Sequence, residues 1–334
     1  MSIADTSSVR PRVEPVLVTL PDSCRLAARL FGSEGAPSVL FVAGGDGTML
    51  QWRGLIPDLC VDDAERELFA AAGCRVSLAD GLWVAVYDAR GCGWSSRSHG
   101  VCSTPGVAAG DALALAAALF GGPFHLVGHG LGAAVALELA LAAGRLVRSL
   151  TLISAVVGGD GSRSAGGMRA RRAADGAACA EDGVAREDGV ARADGVARAE
   201  DRVARAGDDV SRCFAPAFAA AHPELVAHIA AEARDTARGE AELVRHGFNG
   251  MTAAEARAEL LASLDVRARL GDVTAPTLVI HGEHDAVVPP GDGQALTEGI
   301  PGARLLSLDA GHAVTIERAD DVAAAIGAHV LLHP

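Results

Sequence analysis

Lysine is absent from the 334-residue chain, so its strong cations are all arginines. That excludes Schiff-base chemistry, Ser-Lys dyads and lysine-dependent P-loop phosphate binding. Aromatic residues are scarce at 4%, with one tyrosine, so stacking surfaces are few. Basic residues are outnumbered 29 to 42, and a net charge of −13 disfavours a surface that follows phosphates. No nucleic-acid partner is expected. The seven cysteines (Cys24, Cys60, Cys74, Cys92, Cys102, Cys179 and Cys213) are odd in number and form no C-x-x-C pair. Neither a disulfide framework nor a structural zinc is suggested, and a reducing cytoplasm suits them. Uncharged apolar runs of about 18 residues are also missing, and Met1 to Pro15 lacks a basic start followed by an apolar stretch. A soluble, cytoplasmic protein without a membrane partner is the expectation.

Half of the residues are apolar, enough for a large core built mostly from Ala, Val and Leu. The length allows two domains or one large α/β domain with an insertion. Val16 to Phe31 reads as two strands around the turn Pro21-Asp22-Ser23. Ser38 to Ala43 is a short apolar run that stops at Gly44-Gly45-Asp46-Gly47. Leu82 to Asp88 repeats that design before Arg90-Gly91-Cys92-Gly93, after a helix-like stretch over 62–72. Phe124 to Val127 leads through Gly128-His129-Gly130-Leu131-Gly132 into a helix-forming run, Ala133 to Ala143. Leu150 to Ser154 and Thr277 to His281 complete a set of short apolar strands separated by helical segments, the pattern of a mostly parallel, doubly covered sheet.

Composition changes between the last two strands. Glu181-Asp-Gly-Val-Ala-Arg186 recurs twice with small changes through Arg198, and a degenerate fourth copy runs to Arg205. A period of six matches neither helix nor strand, and each glycine costs a helix about 1 kcal/mol. A low-complexity, mainly disordered insertion is expected, since three copies are too few to bury the core of a β-helix. From Phe214 to Leu270 apolar residues return at helical spacing, which suggests a small lid.

The segment 128–132 has the form G-x-S-x-G, a strand-to-helix turn that lifts one side chain above a sheet, with Gly130 where serine would stand. Downstream, His281-Gly-Glu-His-Asp285 follows a strand, Gly311-His312 closes another, and Glu317 comes after it. Elbow, acid and base thus occur in the order of the G-x-S-x-G hydrolases. The nucleophile is missing. Cys92 has no base placed beside it in the sequence, and Asp46 could reach the pocket but is a minor candidate for a catalytic role. The histidines of the C-terminal quarter lack metal-ligand spacing such as H-E-x-x-H, so neither metal nor other cofactor is expected.

Five separated motifs agree: Gly44-Gly45 with Trp52 beyond, Tyr87 to Ser95, the elbow, His281 to Pro289, and Gly311-His312. On these the chain resembles the α/β-hydrolase superfamily from Val16 to His333 apart from the repeats, and within it bacterial esterases that tailor polyketides. The resemblance implies a core formed by 1–157 and 271–334, with 158–209 as the insertion and 210–270 as the helical lid. It also implies that Asp285 orients His312, that the N–H groups of Leu131 and Gly45 form an oxyanion hole, and that Gly44, Asp46 and His129 line the substrate pocket. Only backbone is needed for the oxyanion hole, so it survives the glycine at 130. Three readings follow. His312 could drive hydrolysis by a water, or abstract a proton from a small apolar, polyketide-like substrate in elimination, C–C cleavage or cyclisation. The pocket could instead bind a small ligand or a partner without catalysis. The chain could also be a serine esterase whose serine has been replaced.

Overall fold

The computed structural model describes residues 15–44, 47–52, 54–56, 81–96, 104–158, 206, 209–245, 259–261 and 263–334. The helix expected over 62–72, the hexapeptides, Gly45 and Asp46 lie outside the described residues.

The chain builds one sheet from β1 (Val16–Thr19), β2 (Arg25–Phe31), β3 (Ser38–Val42), β4 (Trp83–Tyr87), β5 (Phe124–His129), β6 (Val147–Ile153), β7 (Thr277–Gly282) and β8 (Arg304–Leu308). Their order across the sheet is β1-β2-β4-β3-β5-β6-β7-β8. The pairs β1/β2 and β2/β4 are antiparallel, and every later neighbouring pair is parallel. An Asp22 carboxylate oxygen accepts the Cys24 N–H at 3.0 Å, which closes the tight turn between β1 and β2. The α/β-hydrolase architecture inferred from the motifs is therefore the one the chain adopts.

β5 and β7 are buried along their whole length, so both faces of the sheet must be covered. Alternate residues of each strand point to opposite faces. On one face Leu40, Leu126, Leu152 and Val279 share a core with Leu115 of α1 (Pro105–Phe120) and Leu137 of α2 (Leu131–Ala143). On the other, Phe41, Val86, Val127 and Ile280 meet Trp52 and Leu55, together with Val322 and Ile326 of the C-terminal helix Ala319–Leu331. The α1 helix has clear end signals. Thr104 caps it by accepting the Val107 N–H, Pro105 occupies the first turn, and Gly121 ends it in the left-handed region at φ 65°.

The segment expected as a lid divides. Its first part carries α3 (Pro216–Ala221) and α4 (Pro223–Arg245), and there Phe214 and Val226 pack on Ala313, with Phe218 and Ile229 beside them. Further on, Leu260, Leu264, Val266 and Leu270 belong to the main core. Two more helices, α5 (Pro290–Gly299) and the short α6 (Val314–Glu317), precede the C-terminal helix, α7.

The motif Tyr87 to Ser95 serves to knit these parts together. Arg90 donates to both carboxylate oxygens of Asp111 at 2.8 and 2.6 Å and to Asp22 at 2.6 Å, tying the loop after β4 to α1 and to the β1–β2 turn. Asp88 accepts the N–H groups of Met49 and Trp94, both at 2.8 Å. After β3 the chain passes to β4 on one side and then returns to β5 on the other, so the ends of β3 and β5 flank the point where strand order reverses. Such a point opens a crevice beyond the carboxyl ends of the strands. No helix among the described residues is long and apolar enough to cross a membrane.

Candidate active site

The crevice is shaped by an abrupt turn. β5 ends at His129 and α2 starts at Leu131, so Gly130 alone reverses the chain, with φ 55° and ψ −117°. A residue with a side chain would pay about 1–3 kcal/mol there, which glycine largely avoids. The flanking glycines have a different purpose. A Cβ on Gly132 would collide with the carbonyls of Val42 and Ala43, and one on Gly128 with the carbonyl of Gly132. Helix and strands therefore touch backbone to backbone, and the Gly130 N–H is pinned to the Ile153 carbonyl at 2.8 Å.

His312 faces this turn. A Cβ built on Gly130 would lie 3.3 Å from its Nε2 and 3.6 Å from its Cε1, and apart from chain neighbours no other heavy atom of the described residues comes within 4 Å. The opposite ring nitrogen, Nδ1, lies 2.8 Å from Asp285 Oδ2. A carboxylate can only accept, so Nδ1 carries a proton, and in the neutral imidazole that leaves the Nε2 lone pair directed toward residue 130. Sequence order had placed these three residues together, and they are together.

Asp285 is completely covered by its surroundings. Its second oxygen accepts the N–H groups of Val287 and Val288 at 2.8 and 2.7 Å, and His281 Nε2 stands 3.5 Å from Oδ2. Burial alone would raise its pKa, but the His312 hydrogen bond and charge, with the two backbone donors, outweigh that and hold the carboxyl below its ordinary 3.8. The charge that orients His312 is therefore permanent near neutrality.

The loop bearing His312 is clamped on both sides. Its carbonyl accepts from His129 Nε2 at 2.9 Å and from the Ser154 hydroxyl at 3.3 Å. Glu317 takes the Gly311 N–H at 2.9 Å with one oxygen and the Ala215 N–H at 3.1 Å with the other, and the Ala313 N–H donates to the Cys213 carbonyl at 2.8 Å. The segment leading into α3 is thus joined to the base by main-chain bonds. His129, expected to line the pocket, lies behind His312 with ring centroids 4.8 Å apart, and burial lowers its pKa to about 3. It stays neutral, and a neutral neighbour does not disturb the base. Burial likewise pushes the Cys213 thiol up to about 12, which keeps it an unreactive thiol. Cys92 is buried under the loop after β3, its sulfur 3.0 Å from where a Cβ on Gly47 would sit. His284 points to the surface and pairs with Asp309 at 2.9 Å.

Oxyanion donors were expected at Leu131 and Gly45. The Leu131 N–H is the first of α2, without an acceptor inside its helix and at the positive end of the helix dipole. Gly45 and Asp46 are outside the described residues, but their flanks are held: the Gly44 N–H donates to Gln51 Oε1 at 2.8 Å and the Gly44 carbonyl accepts the Gly47 N–H at 2.7 Å. The roles of Ser154 and Gln51 escaped sequence reading, and Glu317 was marked only as an acid following His312. Ser154 and Glu317 reach partners far away in the sequence and Gln51 one seven residues away, with no motif to announce any of them. No group of three or more His, Cys, Asp or Glu among the described residues could hold a metal ion.

Comparison with known proteins agrees with this fold. The family model described as alpha/beta hydrolase fold matches residues 37–319. RutD of Agrobacterium fabrum, assigned as a carbamate hydrolase, is 28% identical over 289 residues, spanning 85% of this chain and 89% of that protein. RutD of Azorhizobium caulinodans, with the same assignment, is 31% identical over 228 residues, spanning 68% of this chain and 73% of its own. The crystal structure of a hydrolase from Pseudomonas aeruginosa PA01 superposes with a TM-score of 0.68 at 23% identity, covering 96% of this chain and 99% of the other. The chain belongs to the alpha/beta hydrolase fold family.

Proposed function

We propose that this chain is a hydrolase of small, mainly apolar acyl substrates, esters or carbamates, in which His312 acts as a general base and no covalent acyl-enzyme forms. The observation that carries this reading is the Nε2 of His312 directed at Gly130, where no hydroxyl or thiol of the described residues lies within 4 Å of the place a Cβ would take. With Asp285 locked behind it, the imidazole can take a proton from a nucleophile that is not part of the chain, while the Leu131 N–H and the Gly44–Gly47 turn stabilise the developing oxyanion. Carbamates join esters as candidate substrates because the RutD relatives carry that assignment. The apolar cluster of Phe214, Val226 and Ala313, the last of which follows His312 in the chain, favours an apolar acyl group. Proton abstraction from a substrate carbon would use the same base and oxyanion donors. The site would then be a soluble, cytoplasmic one acting on small molecules, with no cofactor, membrane or nucleic acid involved.

A panel of chromogenic acyl esters, with His312→Ala alongside, tests the reading. Steady release without an initial burst, abolished in the variant, is expected. A burst of product equal to the enzyme concentration, or undiminished turnover by His312→Ala, would exclude it. Gly130→Ser separates a working glycine from a lost serine. A gain of several orders of magnitude, toward the roughly 10⁶-fold contribution of a triad nucleophile, would mean that the site is an inactivated serine esterase.

A further inference from the structure

Resting on the reading of His312 as base, we infer that His129 and Ser154 are positioning residues, which set the distance of the base from residue 130 by holding the His312 carbonyl. That carbonyl accepts from His129 Nε2 at 2.9 Å, at the end of β5, and from the Ser154 hydroxyl at 3.3 Å, just beyond β6. Each donor carries a penalty that a residue kept only for stability would avoid. Ser154 is fully buried with φ 45°, and among the described residues Ser23, at φ 69°, is the only other non-glycine in the left-handed region. A tight turn accounts for Ser23, whereas the end of a strand does not call for such strain. His129 stays neutral and gives its Nε2 proton to the carbonyl, so its Nδ1 is an acceptor. That atom is buried with no hydrogen-bond partner among the described residues, a penalty that an apolar side chain would not incur. Two separate penalties thus converge on one carbonyl.

The same strand ends also fix the turn that faces the base. The Ile153 carbonyl holds the Gly130 N–H at 2.8 Å, and the next residue, Ser154, donates its own N–H to the Ile280 carbonyl at 2.8 Å. His129 directly precedes Gly130. Turn and base are therefore measured from one set of buried main-chain positions. The bonds made by Gly311 and Ala313 tie the base loop to Glu317 and to the segment leading into α3, whereas those to the His312 carbonyl tie it to the sheet that carries Gly130. Asp285 fixes the Nδ1 edge of the ring, and the ring can still pivot about that bond unless its main chain is fixed as well. A displacement of about 1 Å costs up to about 100-fold in rate, so the two donors act on turnover rather than on substrate affinity.

The experiment follows three properties of the full chain: hydrolysis of para-nitrophenyl butyrate, unfolding in urea, and the NMR resonance of the His312 Nδ1 proton, assigned by its loss in His312→Ala. Ser154→Ala removes the hydroxyl and keeps the backbone strain, whereas Ser154→Gly removes both. Each is expected to lower kcat about 10- to 100-fold with KM within about twofold. The urea midpoint of Ser154→Gly should nevertheless lie at or above that of Ser154→Ala. His129→Leu should lose kcat to a similar extent, and His129→Gln, which restores an N–H donor near the place of Nε2, should recover at least about fivefold of the loss. The Nδ1 proton resonance should shift or broaden in every impaired variant. Should Ser154→Ala or His129→Leu fail to fold, Ser154→Gly decides alone. A Ser154→Gly protein with kcat within about twofold of the unaltered one, or losses of kcat that follow the urea midpoints across the set, would overturn the inference while leaving His312 as the base. If the unaltered protein releases no nitrophenol, the hydrolase reading falls and the resonance decides: displaced in Ser154→Gly it supports the positioning role, and unmoved it overturns that role too.

Discussion

At the scale of single residues, His312 works only if Asp285 keeps its charge, and every contact of Asp285 serves that end. One oxygen faces His312 and the other takes two backbone N–H groups, so an asparagine cannot reproduce the set. Asp285→Asn is expected to lower kcat about 10⁴-fold by freeing the imidazole to take the wrong tautomer, with KM little changed. Its stability effect has a definite sign with pH. A carboxyl held below its ordinary 3.8 contributes stability above that value and loses it as pH falls through the lower, folded-state pKa. The variant should therefore unfold about 1.5–3 kcal/mol more easily in urea at neutral pH, and the gap should close in strong acid. A gap that persists there would mean that packing, not charge, sets the cost. Gly130, Asp285 and His312 were legible in the sequence because each lies in a short local motif in the right order. Ser154 and Gln51 were not, because what they do depends on a carbonyl or N–H brought to them by folding. His129 was legible as a neighbour of the site, but that it stands behind the base is a fact of strand direction.

At the scale of elements, the short helix α6 joins the base to the segment that leads into α3. Glu317 at its end bridges the Gly311 and Ala215 N–H groups with separate oxygens. Burial raises its pKa above the ordinary 4.5, Asp285 and Asp309 add to the rise, and the two N–H groups oppose it. The sign is then opposite to that of Asp285. The contribution of Glu317 to stability is full below 4.5 and declines as pH rises through the raised, folded-state value. Glu317→Gln keeps one accepting oxygen and turns an amide donor toward the other N–H, a loss of about 1–3 kcal/mol when the abandoned donor is buried. Because glutamine does not titrate, the deficit of the variant should be widest in acid and should narrow toward neutrality. Urea midpoints measured on both sides of the ordinary glutamate range check this. A deficit that widens as pH rises would show that the carboxylate charge, not its two-oxygen geometry, secures α6.

At the scale of the whole molecule, the middle of the sheet was readable because its strands are short apolar runs closed by glycine turns, a pattern that only double coverage explains. Strand order was not, since nothing in the spacing of 38–42 and 124–129 says that β3 lies between β4 and β5. The C-terminal helix α7 also lacked a clear signal, its run Ala323–Ala325 being small and evenly apolar. Charge was legible from the start, and it acts over the whole surface. With a net charge of −13 and no lysine, the chain repels anions at distances set by the salt, about 30 Å at 0.01 M and about 3 Å at 1 M. An acyl substrate bearing a free carboxylate should therefore react slowly at low salt, its kcat/KM rising about two- to tenfold with ionic strength. A neutral ester of the same size should show no such rise, and the pair run side by side separates the field of the protein from general effects of salt on the fold. If the anionic ester instead slows as salt is added, arginines near the crevice outweigh the acidic surface, and the preferred substrate is an anion after all.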